Sequence, residues 1–398
     1  MFYSNTFTSP IPFVYVGIDT HTENYTMAAV VNQMSPAGEI ITLDLIPPRK
    51  LGPAVKNVLR FIDDCKKAIN RECCVICGYE AGLFGYGLYR KLMAANVDCM
   101  VIAPSSLKKS SRDKKFKNDY IDSRALANAM AKGECTSIYV PDEEDESIFR
   151  YIRMRDDHQD MVKVTKQRIT AFVHQMGFHY NQGATWTQKH MNWIMSLPLN
   201  ELNKETLGEY MTTLLTLQQK LEDLDVRIKS FAMQKKYAAN VNKLRCFLGI
   251  EYGFALRLIV TIGDFKRFPT AGHFASFLGL TPTEHSSNED GNYGSISKAG
   301  NIVLRKKLIE AVWSGFSRGR PGYKSRALRK RQEGCCASDI HYADKANRRL
   351  RVRFRDKIMK GKNSNVTATA VAREFCGFIW GMMTGNTADV IRKKSEIA

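Results

Sequence analysis

Acidic residues stand at the ends of regular elements throughout the N-terminal part of this chain, and that placement narrows its possible folds more than any other pattern in it. Phe13–Ile18 is a short apolar run that reads as a buried strand and ends at Asp19. Tyr25–Val31 and Ile40–Ile46 flank a Ser-Pro-Ala-Gly turn, the pattern of a hairpin. Pro53–Ile69 has helical periodicity, with Val55, Val58, Leu59 and Ile62 on one face. Cys73–Gly78 is a second buried strand leading to Glu80, Gly85–Ala95 reads as a helix, and Val97–Ile102 is a strand stopped by Pro104. After a basic loop, Lys108–Lys117, a helical pattern covers Tyr120–Ala131, with Asp119 and Asp122 three apart at its start. That spacing puts both acids on one helix face. A hairpin followed by strands alternating with helices predicts an α/β domain, a mixed sheet with helices on its faces.

If the strands ending at Asp19 and Glu80 are neighbours, their ends bring the two acids together, and the helix closes the cluster with Asp119 and Asp122. Four carboxylates at one point are electrostatically costly without a cation. Hard Mg²⁺ or Mn²⁺ prefers such oxygens. Two of these ions about 3.5–4 Å apart stabilise both the attacking and the leaving oxygen in phosphoryl transfer. Taken singly, each acid has an ordinary explanation, Asp119 as a helix N-cap for example; the ordered set argues for a metal site. Sugar kinases share the Gly17-Ile18-Asp19-Thr20 opening but need a second glycine-rich phosphate loop, which the sequence lacks. Proofreading exonucleases carry Asp-x-Glu where this chain reads Asp19-Thr20-His21.

The formal net charge of +19 on 398 residues favours a polyanionic partner, and nucleic acid is the commonest. The excess is uneven. Between Arg318 and Lys362 sixteen Lys and Arg stand against four Asp and Glu, which is twelve of the nineteen charges. Lys108, Lys109, Lys114, Lys115 and Lys117 in the basic loop, and Arg348, Arg349, Arg351 and Arg353 in the later stretch, are the candidates for gripping phosphate backbones. No apolar run approaches the roughly 20 residues of a membrane span. The N-terminus lacks a secretory pattern, so the expected place is the cytoplasm, at the nucleoid. Cys74-Val-Ile-Cys77 has no second pair at ligand spacing and Cys335 and Cys336 are adjacent, so the ten cysteines read as thiols.

A different regime begins near Pro141. Residues 144–180 are polar and helical in pattern, and Leu214, Leu217, Leu221, Leu224, Ile228 and Phe231 form an a/d seam of nearly three heptads. The seam suits an intramolecular helical hairpin and an intermolecular coiled coil equally. From Leu244 short helices alternate with glycine-bearing turns, Asn301–Phe316 is helical, and Ala368–Met383 is an apolar helix expected to pack back on this region. The organisation expected is therefore 1–142, 143–242 and 243–398. Within the last of these lies a polar loop, Thr281–Asn288, with Ser286 and Ser287. By composition Ser-Ser-Asn is turn chemistry, although a serine there could attack a phosphodiester. The glycines and amides of Gly294–Gly300, with Lys298 and Arg305, suit a phosphate at a helix N-terminus.

Several segments together resemble a known family: VGIDTHTENYTMAAV, ICGYEAGLFGYGLYRKL, VIAPSSLKKSSRDKKFKNDYIDSRALA, and IGDFKRFPTAGHFASFLGLTPTEHSSNEDGNYGSISKAGNIVLRKKL. The chain resembles the DEDD insertion-sequence transposases, related to the RuvC resolvase and the Piv-type DNA invertases and now called bridge-RNA-guided recombinases. The resemblance implies an RNase H-like (RuvC-like) first domain whose metal site matches Asp19, Glu80, Asp119 and Asp122. It implies a helical coiled-coil assembly segment and a mainly α C-terminal transposase domain. It also implies a serine after Gly-Leu-Thr-Pro that forms a 5′-phosphoserine link to DNA, matching Ser287, with Ser286 as the near alternative. The implied partners are donor and target double-stranded DNA, a structured guide (bridge) RNA, and a homodimer that assembles to a tetramer. Two departures stand out: Leu248-Gly-Ile-Glu-Tyr-Gly253 replaces the family's Pro-Gly-Ile-Gly hairpin, and Asn288 replaces a glycine after the serine. A metal-dependent Holliday-junction nuclease or invertase acting without RNA, and a non-catalytic RNA-binding protein, are the alternative readings.

Overall fold

The computed structural model describes residues 11–34, 39–82, 84–107, 118–284 and 293–387. It has two compact units, Met1–Val140 and Pro141–Ala398.

The first unit is a mixed five-stranded sheet. Strands β1 (Phe13–Thr20), β2 (Tyr25–Met34) and β3 (Ile40–Leu51) form an antiparallel meander. Helix α1 (Val55–Ile69) leads to β4 (Cys74–Glu80), and α2 (Gly87–Ala94) leads to β5 (Asp98–Ile102). β4 lies parallel to β1 and β5 parallel to β4, giving the order β3-β2-β1-β4-β5. Helix α3 (Asp119–Ala131) completes the unit. The hairpin is longer than the apolar runs suggest, because β3 continues through Lys50 with polar residues that the alternation of a half-exposed strand admits.

Side-chain alternation assigns the helices to opposite faces of the sheet. Val14, Val16 and Ile18 of β1 join Met27, Ala29, Cys77 and Tyr79 in a core with Val58, Phe61 and Ile62 of α1 and Leu88 and Leu92 of α2. The intervening Tyr15, with Val30 and Ile76, packs on Leu126, Ala127, Met130 and Ala131 of α3. Gly17 explains how close α3 comes. A Cβ built there would lie 2.1 Å from the Ser123 carbonyl oxygen and 2.6 Å from the Ala127 nitrogen. Asn118 caps α3, its side chain accepting from Tyr120 N–H at 3.0 Å, so Asp119 is the first helical residue and not the cap. Asn32 Nδ2 donates to the Ala131 carbonyl at 2.8 Å, and Arg124 pairs with Asp44 of β3.

The second unit is mostly helical. Helix α4 (Glu143–Gln175) and helix α6 (Glu201–Ala232) form a long hairpin joined by α5 (Gln188–Met195). Four acids in the first turn of α4 complement its N-terminal dipole. The heptad seam closes inside the chain: Leu214 and Leu221 pack with Val162, Ile169 and Val173 of α4, while Leu217 is partly buried beside them. An Arg155–Asp225 pair with two 2.8 Å bonds fixes the hairpin's register. At its base Ile148, Ile152, Ile228 and Ala232 enter the same core as the helices that follow.

Those helices are α7 (Ala238–Arg245), α8 (Tyr252–Ile262), α9 (Ala271–Phe277), α10 (Ile302–Phe316), α11 (Arg326–Gln332), α12 (Ala337–Met359) and α13 (Ser364–Thr384). Between α9 and α10 the chain forms a small antiparallel pair, β6 (Pro282–Glu284) and β7 (Tyr293–Ile296), where composition suggests only loop. The apolar α13 is central: Val371, Ala372, Phe375, Cys376, Phe378 and Ile379 are buried, and Trp380 Nε1 donates to the Phe268 carbonyl at 3.0 Å. All ten cysteines are free thiols. Among the described residues no helix is long and apolar enough to cross a membrane.

Candidate metal centre

Sheet register builds the site. Lys50 pairs with Thr26, and Thr26 pairs with Asp19, so three strands contribute to one rung. Ile18 pairs with Tyr79 on β4, so Glu80 follows at the level of Asp19. Residues across a rung share a face. Gly17 and Gly78, two positions along from Asp19 and Glu80, face Ser123 and Met130 of α3. The rung therefore lies on the α3 side, at the end of the sheet where α3 begins with Asp119.

One ligand atom each from Asp19, His21 and Asp119 lie within 4.8 Å of one another. His21 Nε2 is 3.2 Å from Asp19 Oδ2 and 3.5 Å from Asp119 Oδ1. The β1–β2 turn places it: Thr20 pairs with Tyr25, and His21 N–H donates to the Asn24 carbonyl at 2.9 Å. Lys50 Nζ donates to Asp119 Oδ2 at 2.9 Å. Burial raises the Asp19 carboxyl above its usual value; His21 opposes this, while Asp119 and Asp122 add to it. Asp122 and Glu80 stand outside the tight group of three, with Glu80 on the adjoining strand end.

The sequence patterns single out Asp19 and Asp119 but not His21 or Lys50. His21 is visible in Asp19-Thr20-His21, two residues on, yet a histidine in a hairpin turn carries no signal until α3 is folded against it. Lys50 needs the β2–β3 register, which the short apolar run of β3 does not reveal.

The donor set tests the fit of a divalent cation. Two carboxylates and a ring nitrogen at half-buried positions form a donor set that a divalent cation can use. Thr26, on the rung beside Asp19, is wholly buried with its Oγ1 lacking any hydrogen-bond partner among the described residues. Buried hydroxyls are rarely left so, and an ion's hydration water is one group that would satisfy it.

The other candidates divide. Ser286, Ser287 and Lys108, Lys109, Lys114, Lys115 and Lys117 lie outside the described residues. Lys298 is exposed with φ +56° at the turn before α10. Arg305 is buried: its Nη1 donates to the Leu278 carbonyl at 3.0 Å, beneath Gly279, so its guanidinium holds the α9–α10 connection together. Arg351 likewise turns inward, donating to the Gly315, Arg320 and Tyr323 carbonyls. Arg349 and Arg353 both pair with Glu374 of α13. Arg348, with Lys345, Arg349, Arg353, Lys357 and Lys360, lines a groove of about 630 Å³ along α12.

Residues 241–327, from α7 into α11 and across the serine loop, match the model of the Transposase IS116/IS110/IS902 family. A putative transposase of Sinorhizobium fredii is 32% identical over 76% of this chain and 74% of its own length. The transposase for insertion sequence element IS1533 of Leptospira borgpetersenii is 29% identical over 88% of this chain and 98% of its own. That for IS1111A of Coxiella burnetii is 24% identical over 56% and 61%. The chain belongs to the IS116/IS110/IS902 family of transposases.

Proposed function

We propose that this protein is the transposase of an insertion sequence, and that it joins donor to target DNA through a protein-linked intermediate guided by a structured RNA. The observation that carries this reading is the group of Asp19, His21 and Asp119 at the end of the sheet, with Glu80 and Asp122 beside it. The sheet order β3-β2-β1-β4-β5, with an antiparallel meander followed by parallel strands, supports an RNase H-like (RuvC-like) assignment for the first unit. When bound, Mg²⁺ or Mn²⁺ would supply Lewis-acid polarisation of the scissile phosphate.

The chain's own residues do the rest. Asp19, Glu80, Asp119 and Asp122 hold the cation. Ser287 Oγ attacks phosphorus; the bond to the 3′ oxygen breaks, and a phosphodiester to DNA becomes a phosphodiester to serine. The proton lost by the serine hydroxyl balances the one taken up by the departing 3′ oxygen. The new 3′ hydroxyl of the partner strand then reverses the step, which exchanges the strands. The α12 groove and the loop Lys108–Lys117 would bind DNA and RNA backbones. Sequence choice would rest in base pairing with the guide RNA, in a dimer that assembles to a tetramer.

The test is adduct trapping. The full chain is incubated with donor and target DNA, candidate guide RNA and Mg²⁺, then denatured and run on a gel. A DNA-linked protein band that disappears in Ser287→Ala, and persists in Ser286→Ala, supports the serine mechanism. Cleavage without any adduct supports simple hydrolysis, and adduct formation by Ser287→Ala removes this serine from the role. Omitting the RNA tests guidance in the same assay.

A further inference from the structure

We propose that His21 is a nitrogen ligand of the metal centre, so that this site is a mixed carboxylate–imidazole site that favours Mn²⁺ over Mg²⁺ more than four carboxylates would. The inference rests on the reading that Asp19 and Asp119 hold a divalent cation. His21 sits at the turn joining β1 and β2, and its Nε2 lies 3.2 Å from one carboxylate and 3.5 Å from the other. An imidazole that served only to hydrogen-bond one acid has no need to stand so near a second. The position is the one a third ligand takes when the three share an ion. The turn itself is tied, with His21 N–H bonded to Asn24, so the ring is carried on a held backbone.

A second observation is compatible with an ion. Thr26, opposite Asp19 on the same face, is 0% exposed and its Oγ1 has no partner among the described residues. Buried hydroxyls usually find a partner, and the hydration water of a cation held at Asp19, across the same rung, is one group that could supply it.

The chemistry decides which ion. Mg²⁺ is hard, demands near-ideal octahedral oxygen ligation and dehydrates reluctantly, so an imidazole adds little to its binding. Mn²⁺ shares the preference for carboxylate oxygens, but as a larger, more readily dehydrated transition-metal ion it gains more from an added imidazole than Mg²⁺ does. Removing the imidazole therefore costs Mn²⁺ more than Mg²⁺.

The experiment is metal binding by the purified full chain, with Mn²⁺ alone and Mg²⁺ alone as probes. Calorimetry gives affinities, and pulsed electron paramagnetic resonance of bound Mn²⁺ detects directly coordinated nitrogen. The parent protein should show nitrogen coupling. His21→Ala should lose it, with Mn²⁺ affinity falling by about tenfold or more, since even groups that only orient a ligand are worth that much, and Mg²⁺ affinity falling far less. His21→Gln, which keeps the turn polar, guards against a folding defect, and circular dichroism checks both variants. A counter-ion role makes the opposite prediction: deleting a competing cation would raise the affinity for both metals, and that result overturns the proposal. So does a parent spectrum without nitrogen coupling. Asp19→Asn separates the two levels. If it leaves binding of both ions intact, the cation site itself is misplaced; if it abolishes binding while His21→Ala changes nothing, only the role of His21 fails.

Discussion

Lys50 Nζ and Asp119 Oδ2 are 2.9 Å apart, which places a cation from an edge-strand end on an acid from the first turn of a helix. The same hydrogen bond to Asp119 raises the Lys50 ammonium above its ordinary value. Lys50 therefore occupies one oxygen of the acid that a divalent cation would use, and the two cations repel each other across that short distance. Lys50→Met should accordingly tighten Mn²⁺ binding severalfold, read by calorimetry at low salt. A loss of affinity would mean that Lys50 supports the acid's geometry more than it competes for it.

The close approach of α3 to the sheet depends on Gly17. Gly17→Val places a side chain against the Ser123 and Ala127 backbone, which cannot yield as a flexible side chain can. Overpacking of this kind costs about 1–3 kcal/mol. Urea unfolding should show that loss, and because α3 carries Asp119 and Asp122, divalent-metal affinity should fall with it even in variant protein that remains folded.

The groove along α12 should contribute to nucleic-acid affinity through charge alone. Replacing Lys345, Arg348 and Lys357 together by Gln removes three cations from it. Each phosphate that is no longer neutralised makes the dependence of log K on log salt shallower by about 0.9, so the slope of the combined variant should fall by up to about 2.7. Fluorescence anisotropy on unrelated DNA sequences should show the same change for each. An unchanged slope would assign the groove no part in binding.

At the base of the helical hairpin, Lys236 joins Asp142 at 2.7 Å and Asp145 at 2.8 Å, and Tyr237 donates to Asp145 at 2.5 Å. The Asp142 carboxyl is held below its usual 3.8, first by the Asp145 N–H and then by Lys236. A depressed carboxylate contributes stability above its unfolded value that is lost as pH falls through the folded one. Lys236→Met should destabilise the protein by about 1 kcal/mol near neutral pH, given the solvent exposure of the cluster. The gap from the parent should narrow as pH drops below 3.8, followed by urea denaturation across a pH series.

Local patterns in the chain were enough to specify the kind of elements and the residue types that matter. Apolar runs specified β1, β4 and β5; the 3.6-residue period specified α1 and α3; and the spacing of Asp119 and Asp122 put both on one face. Such signals act within a turn or two of the chain, where neighbouring residues alone set the geometry. The seam on α6 was equally plain, yet its partner was not, because the same leucine stripe serves a neighbouring helix or another chain; the packing of α4 against it decided. The candidate metal centre belongs to the tertiary structure for the same reason. Lys50, Thr26 and Asp19 are brought onto one rung by strand register, His21 by a hairpin turn, and Asp119 by a helix that approaches because Gly17 has no side chain. Charge likewise told where cations concentrate but not which point outward: Arg305 and Arg351 spend their guanidinium groups on carbonyls inside the fold, since buried backbone oxygens must find donors.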